Sequence, residues 1–170
     1  GRAFDVHADA GLVQLDPRWH QAALRFTRDG FFHILDGVDH LLFLFCLVIP
    51  FRRLRPLVAV VTAFTVAHSI TLIASAFGMA PTALWFPPLI EAVIALSIVI
   101  LAVENVLLPT ERLEQRWRIA FAFGLVHGFG FSFALGEQLQ FAGGHLVAAL
   151  AAFNAGVELG QLAALAVALP

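Results

Sequence analysis

Most of this chain consists of apolar runs, each about long enough to cross a lipid bilayer as a helix. They cover roughly residues 30–50, 56–78, 87–108, 117–135 and the chain from 145 onward, and a helix needs about twenty residues to cross the hydrocarbon core. Hydrophobic residues make up 60% of the chain and charged residues 13%, which lies outside the range of soluble domains. The sequence therefore predicts an all-α, polytopic transmembrane helix bundle with five spans.

The first 29 residues differ from this pattern because four Arg and four Asp are scattered among them. We predict that residues 1–29 are a non-membrane lead-in, a remnant of an extracytoplasmic domain, and that residues 30–170 form the transmembrane domain. His7 and His20 lie in the lead-in and are interpreted as solvated surface histidines. The chain stops directly after an apolar run, and because membrane helices usually end in polar flanks, a further segment is expected beyond it.

The positions of the arginines predict the orientation of the bundle. The loops after the first and third runs contain three Arg each, and those after the second and fourth contain none. Because cytoplasmic loops are enriched in basic residues, the N-terminus is predicted to lie outside. The net charge of −2 provides no basic surface, so the predicted partner is the lipid bilayer and not a nucleic acid. A homo-oligomer or a larger membrane assembly is compatible with these patterns.

Four ionisable residues interrupt the first apolar run, in the stretch GFFHILDGVDHLLFL. Ionisable groups at membrane depth are costly, and they usually face a bundle interior and mark a site. On one continuous helix His33, Asp36 and His40 would lie within about 60° of each other, with Asp39 on the flank. This face is a candidate metal site, with Asp39 orienting a ligand. The alternative is that these residues only cap the watery end of the helix.

Polar residues in the other runs reach a similar depth. Counted from the outer ends of the runs, His40, His68 and Asn154 lie roughly 12 to 15 Å deep, and His127 and Glu158 slightly deeper. Core histidines that are hydrogen-bonded to backbone carbonyls have no reason to lie at one depth, whereas the ligands of one metal ion must lie at a common depth. The predicted metal ligands are His33, Asp36, His40, His68 and His127. The residues predicted to support or relay are Asp39, Glu91, Asn154 and Glu158.

Imidazole combined with carboxylate groups favours Zn, Ni, Cu or Fe over Mg or Ca, which prefer oxygen ligands. His33, Asp36 and Glu91 are predicted to lie above the histidine layer, within roughly 10 Å of the outer surface. Acidic groups there would attract a cation from the non-cytoplasmic face. Toward the cytoplasm the first run is apolar, and Glu104 and Asn105 are the polar residues that a transporter would need as an exit.

Several blocks of this sequence resemble the HupE/UreJ family of bacterial membrane proteins. His33, five residues and then Asp39-His40 resemble the family signature. The stretches HILDGVDHLLFL, FTVAHSITL, IEAVIALSIVILAVEN, FGLVHGFGF and FNAGVELGQL resemble its second branch. The resemblance implies a multi-pass protein of the bacterial inner membrane that acts as a nickel or cobalt permease, often linked to hydrogenase and urease maturation. It also implies a sixth span after the fifth. Asp36 is not part of the signature. The residues that match the family are His33, Asp39, His40, His68, Glu91, His127, Asn154 and Glu158.

These observations support three functional hypotheses. The first is a secondary transporter of a divalent transition metal (Ni, Co or Zn), with a site exposed alternately to the two sides of the membrane. The second is a membrane zinc hydrolase in which three histidines hold the metal and Glu91 or Glu158 serves as the base. The third is an accessory subunit whose polar residues only hold helices together. The first is favoured, largely because of the family resemblance.

Overall fold

The computed structural model describes residues 18–51, 54–107, 116–138, 142 and 144–168. Within these ranges the chain forms α-helices and no β-strand, so the predicted all-α fold is confirmed. The helices are α1 (Trp19–Asp36), α2 (Val38–Val48), α3 (Leu54–Ala76), α4 (Phe86–Leu107), α5 (Arg116–Gln138) and α6 (Leu146–Ala168).

Three helices are long and apolar enough to cross a membrane, over Pro56–Ala76, Phe86–Leu107 and Leu146–Val167. The consecutive helices α1 and α2 raise this number to four if they are counted together as one bent span. The fourth predicted span coincides with α5, whose side chains beyond residue 131 lie outside the described part. The protein is therefore a helical membrane protein, and five spans with an external N-terminus stay predictions.

The first predicted span is not one continuous helix over residues 30–50. Helix α1 begins at Trp19, the chain is extended at Gly37 (φ −81°, ψ 96°), and α2 leaves at 71° to α1. Glycine is a poor helix former because it loses more backbone entropy than other residues. Helix α1 also runs without interruption across the predicted domain boundary at residue 29, and residues 1–17, including His7, lie outside the described part.

Close helix packing at glycines organises the bundle into two pairs. Helix α5 packs against α3 at Gly124, where an added Cβ would lie 2.6 Å from the Phe64 carbonyl oxygen. Helix α6 packs against α1 at Gly156, where an added Cβ would overlap the Thr27 carbonyl oxygen. Small residues allow backbones in a membrane to approach this closely, as the spacing of the glycines predicts. The short helix α2 packs mainly against α4, and it buries Phe43, Leu44, Leu47 and Val48 in a core shared with residues of α3, α5 and α6.

The C-terminal end of α2 is held by polar side chains from α4 and α5. Asn105 Nδ2 donates to the Cys46 carbonyl (2.6 Å), and Arg116 Nη1 donates to the Cys46 and Leu47 carbonyls (3.3 and 3.4 Å). Arg116 Nη2 donates to Asn105 Oδ1 (2.5 Å) and lies 3.9 Å from Glu104 Oε2. The last carbonyls of a helix have no partner within the helix, so this cluster satisfies them and anchors α2.

Candidate metal centre

The break at Gly37 brings His33 and His40 together. On a straight helix these residues would lie about 10 Å apart along the axis. In the structure their ring centroids are 4.5 Å apart, because His33 lies near the end of α1 and His40 in the first turn of α2. A side chain at position 37 would meet the His33 carbonyl oxygen and His40 Nδ1, each 2.8 Å from an added Cβ. The break and the absence of a Cβ together allow the two rings to meet.

Helices α3 and α5 contribute two further histidines, and both are completely buried. The ring of His68 lies 6.0 Å from that of His33 and 6.1 Å from that of His40. The ring of His127 lies 5.4 Å from that of His40. The imidazoles of His33, His40, His68 and His127 therefore meet inside the bundle, and these four residues are called the histidine group below.

The nitrogens of this group are available to a metal ion. Ligand atoms of His33, His40 and His68 all lie within 4.8 Å of one another. Two nitrogens on one tetrahedral metal, each about 2.0–2.1 Å from it, are about 3.3 Å apart, so small ring movements would complete a site. Buried nitrogens without a hydrogen-bond partner are His33 Nε2, His40 Nε2, His127 Nδ1 and both ring nitrogens of His68.

Phenylalanine rings enclose the histidine group. Phe131 lies 4.0 Å from the His33 ring and stacks on Phe153 at 4.8 Å. Phe43 lies 4.6 Å and Phe64 5.3 Å from the His127 ring. His68 and His127 are completely buried behind these rings, so a metal ion bound to them would have to exchange its water for protein nitrogen. Such an environment suits a metal that binds imidazole strongly.

The carboxylates predicted around the first helix do not join the converging nitrogens. Asp36 is exposed and lines a surface groove on α1 with Arg25, Arg28 and Phe32. Asp39 is exposed in the first turn of α2, where a negative charge favours the helix dipole. The prediction for Asp36 assumed one continuous helix, and the break at Gly37 separates its face from that of His40. Ligation by Asp36 and orientation of a ligand by Asp39 stay predictions.

The polar residues predicted on α4 and α6 occupy different environments. Glu91 is exposed on α4. Glu158 is partly buried on α6 and accepts a hydrogen bond from Thr62 Oγ1 (3.3 Å). Asn154 donates to the Leu150 carbonyl (3.0 Å), and its Oδ1 is buried without a partner. Support of the site by Asn154, Glu158 and Glu91 stays a prediction, and of these three only Glu91 is exposed.

Comparison with protein families tests the resemblance seen in the sequence. The family model described as "HupE / UreJ protein" matches residues 9–170, which is nearly the whole chain. The chain belongs to the HupE/UreJ family. No curated protein and no solved structure matches this family member.

The structure of this HupE/UreJ family member contains two further residues that the sequence patterns did not single out as part of the site. Ser97 is completely buried on α4, and its Oγ lies 3.1 Å from His127 Nε2. Gly37 separates α1 from α2 beside the His33 and His40 rings. In the sequence, Ser97 is a lone serine in an apolar run, and Gly37 is a glycine with ionisable residues on both sides. Neither pattern is specific enough to predict a role in a metal site.

Replacing Gly37 with alanine is expected to weaken metal binding about tenfold, because a misplaced ligand costs affinity on this scale. The added methyl group would displace the His40 ring or the His33 carbonyl, and alanine favours a continuous helix by about 1 kcal/mol. Isothermal titration with Ni²⁺ or Co²⁺ measures the effect. Gly144→Ala is the matched control, because an added Cβ there meets no atom within 4 Å. Equal affinities for the two variants would contradict the proposed role of the break.

Proposed function

We propose that this protein is a secondary transporter of a divalent transition metal of the nickel or cobalt type, and that the histidine group binds the metal during transport. The observation that carries this proposal is the convergence of buried, unpaired ring nitrogens from α1, α2 and α3. Buried polar groups in proteins are normally hydrogen-bonded, so several unpaired nitrogens in one place need an explanation. A metal ion would provide the missing partner for each of them.

The break between α1 and α2 supports transport. Secondary transporters typically form their ion sites at discontinuous helices near the middle of the membrane, where the free helix ends and side chains meet the ion. Here the histidine group lies beside the extended residue Gly37, and α2 begins directly after it.

The metal ion is proposed to leave the site along the interface between α3 and α6. At this interface Thr65 Oγ1 donates to Gln161 Oε1 (2.8 Å), one turn from His68 along α3. Gln161 and His40 both line a small cavity of about 10 Å³, which is close to the smallest volume that holds one water molecule. Glu104 and Asn105, the exit suggested by the sequence, are instead engaged with Arg116 at the end of α2.

The zinc hydrolase alternative requires a carboxylate base beside the metal. Glu91 is exposed on α4, and Glu158 is hydrogen-bonded to Thr62. Neither carboxylate belongs to the group of converging ligand atoms in the described part of the chain. Transport is therefore the proposal that these positions support better.

The proposed location is the bacterial inner membrane, with the N-terminus outside. This follows from the family and from the arginine-rich loops after the first and third apolar runs. The proposed partners are the lipid bilayer and the transported metal ion, and self-association stays a prediction.

Uptake of radiolabelled Ni²⁺ or Co²⁺ into proteoliposomes tests the function. Protein-containing vesicles are expected to accumulate the metal faster than empty ones, and His40→Ala should remove the difference. His20→Ala is the control, since His20 is exposed near the start of α1. Binding of metal without any uptake would contradict transport, and it would favour the hydrolase or accessory hypotheses.

A further inference from the structure

We infer that Ser97 is a positioning residue that holds His127 in one tautomer and thereby makes Nδ1 the atom through which His127 binds the metal. The inference rests on the proposed metal-binding function and deepens it, since it names a ligand atom and the residue that selects it. Ser97 lies on α4, a helix that contributes no histidine to the group.

The hydrogen bonds of Ser97 determine which nitrogen of His127 carries the proton. Ser97 Oγ lies 2.6 Å from the Ile94 carbonyl oxygen and 3.1 Å from His127 Nε2. A hydroxyl group has one hydrogen, and a carbonyl oxygen can only accept. The contact to Ile94 is the shorter one, so we assign the hydroxyl hydrogen to it, and His127 Nε2 then carries the hydrogen that it donates to Ser97.

The two distances agree with this assignment. O–H···O hydrogen bonds usually measure about 2.7–2.8 Å and N–H···O hydrogen bonds about 2.9–3.0 Å. The 2.6 Å contact to Ile94 corresponds to the first kind, and the 3.1 Å contact to His127 corresponds to the second. Ser97 and His127 are both completely buried, so bulk water does not compete for either contact.

Nδ1 of His127 is consequently the nitrogen with a free lone pair. A neutral imidazole has one N–H donor and one acceptor nitrogen, and the acceptor nitrogen binds metals. His127 Nδ1 is buried and has no hydrogen-bond partner. Its ring lies 5.4 Å from the His40 ring, with Phe43 and Phe64 on its flanks.

The ligand atoms that lie within 4.8 Å of one another come from His33, His40 and His68, so His127 Nδ1 would join them as a fourth ligand through a movement of its ring beside His40. His33, His40 and His68 provide three nitrogens, and a tetrahedral metal accepts a fourth ligand. Metal-binding histidines usually donate their other ring N–H to a neighbouring acceptor, which sets both the tautomer and the ring orientation. Ser97 supplies that acceptor from α4, so metal binding would join α4 to the helices that carry the ligands.

Substitution of Ser97 tests the inference through metal affinity. Ser97→Ala is expected to weaken binding of Ni²⁺ or Co²⁺ roughly ten- to a hundredfold, because the acceptor for His127 Nε2–H is lost. Ser97→Thr retains a hydroxyl and should restore most of the affinity. Ser75→Ala is the matched control, because Ser75 also donates to its own helix, at the Thr71 carbonyl (2.7 Å), and makes no hydrogen bond to an imidazole of the described residues.

Nitrogen NMR of the histidine-labelled, metal-free protein provides an independent readout, since the two tautomers have different ¹⁵N shifts. Wild-type His127 is expected in the Nε2–H form, and Ser97→Ala should produce a mixture. A wild-type His127 with its proton on Nδ1, or an unchanged tautomer and affinity in Ser97→Ala, would overturn the inference. A wild-type protein that binds no metal would contradict the proposed function, and the tautomer in the metal-free protein would still decide the role of Ser97.

Discussion

Replacement of His68 with leucine is expected to abolish most metal binding while leaving the metal-free protein at least as stable as the wild type. His68 is completely buried, and both of its ring nitrogens lack a hydrogen-bond partner. A buried polar group without a partner costs about 1–3 kcal/mol, and an apolar side chain of similar size removes this cost. Loss of one of three or four ligands should lower the affinity for Ni²⁺ or Co²⁺ about a hundredfold or more.

The opposite signs of these two effects separate a functional site from an ordinary core. Binding is measured by titration with the metal, and stability is measured by thermal unfolding in detergent without metal and with a chelator present. His20→Leu is the control, since His20 is exposed and lies near the N-terminal end of α1. If His68→Leu destabilised the metal-free protein by several kcal/mol and left the affinity unchanged, His68 would be a structural residue.

Replacement of Arg116 with leucine is expected to lower the free energy of unfolding by about 3 kcal/mol or more. Arg116 is 5% exposed and donates to the Cys46 and Leu47 carbonyls and to Asn105 Oδ1. Its removal leaves the partly buried Glu104 without its cation, and Asn105 is then the one of these two side chains that still donates to the end of α2. Since α2 carries His40, metal affinity is expected to fall as well.

Two variants make this prediction specific. Arg118→Leu removes an exposed arginine whose guanidinium lies over the Trp117 ring (5.5 Å), and a surface contact of this kind contributes only about 0.5–1 kcal/mol. Arg116→Lys keeps the charge but lacks the planar fork of donors, so an intermediate loss is expected. Equal unfolding temperatures for the Arg116→Leu and Arg118→Leu proteins would refute the anchoring role of this cluster.

Much of the architecture could be predicted because its causes are local in the sequence. Apolar runs of bilayer length specify helices wherever the backbone cannot bond to water, and the all-α fold follows from them. Glycines four residues apart, such as Gly124 and Gly128, indicated a close helix contact, and the structure places this face of α5 against α3. The inward direction of His68 and His127 was also predictable, because both lie deep in apolar runs.

The break between α1 and α2 could not be predicted from the sequence pattern. The face shared by His33, Asp36 and His40 was calculated for a regular helix, and the break at Gly37 invalidated that geometry. His33 was expected above the histidine layer, yet its ring lies 4.5 Å from that of His40. Glycine within an apolar run is often helical in membranes, so the break depends on contacts that the local sequence does not contain.

The sequence by itself determined that the chain is a helical membrane protein with ionisable residues inside its apolar runs, because hydropathy and residue spacing act within single helices. The tertiary structure decided which of those residues meet. It brought His33 to His40 through the bend, left Asp36 exposed on α1, and placed Ser97 beside His127. These side-chain contacts depend on which helices pack together and on the change of direction at Gly37. Both arise from contacts between residues far apart in the chain.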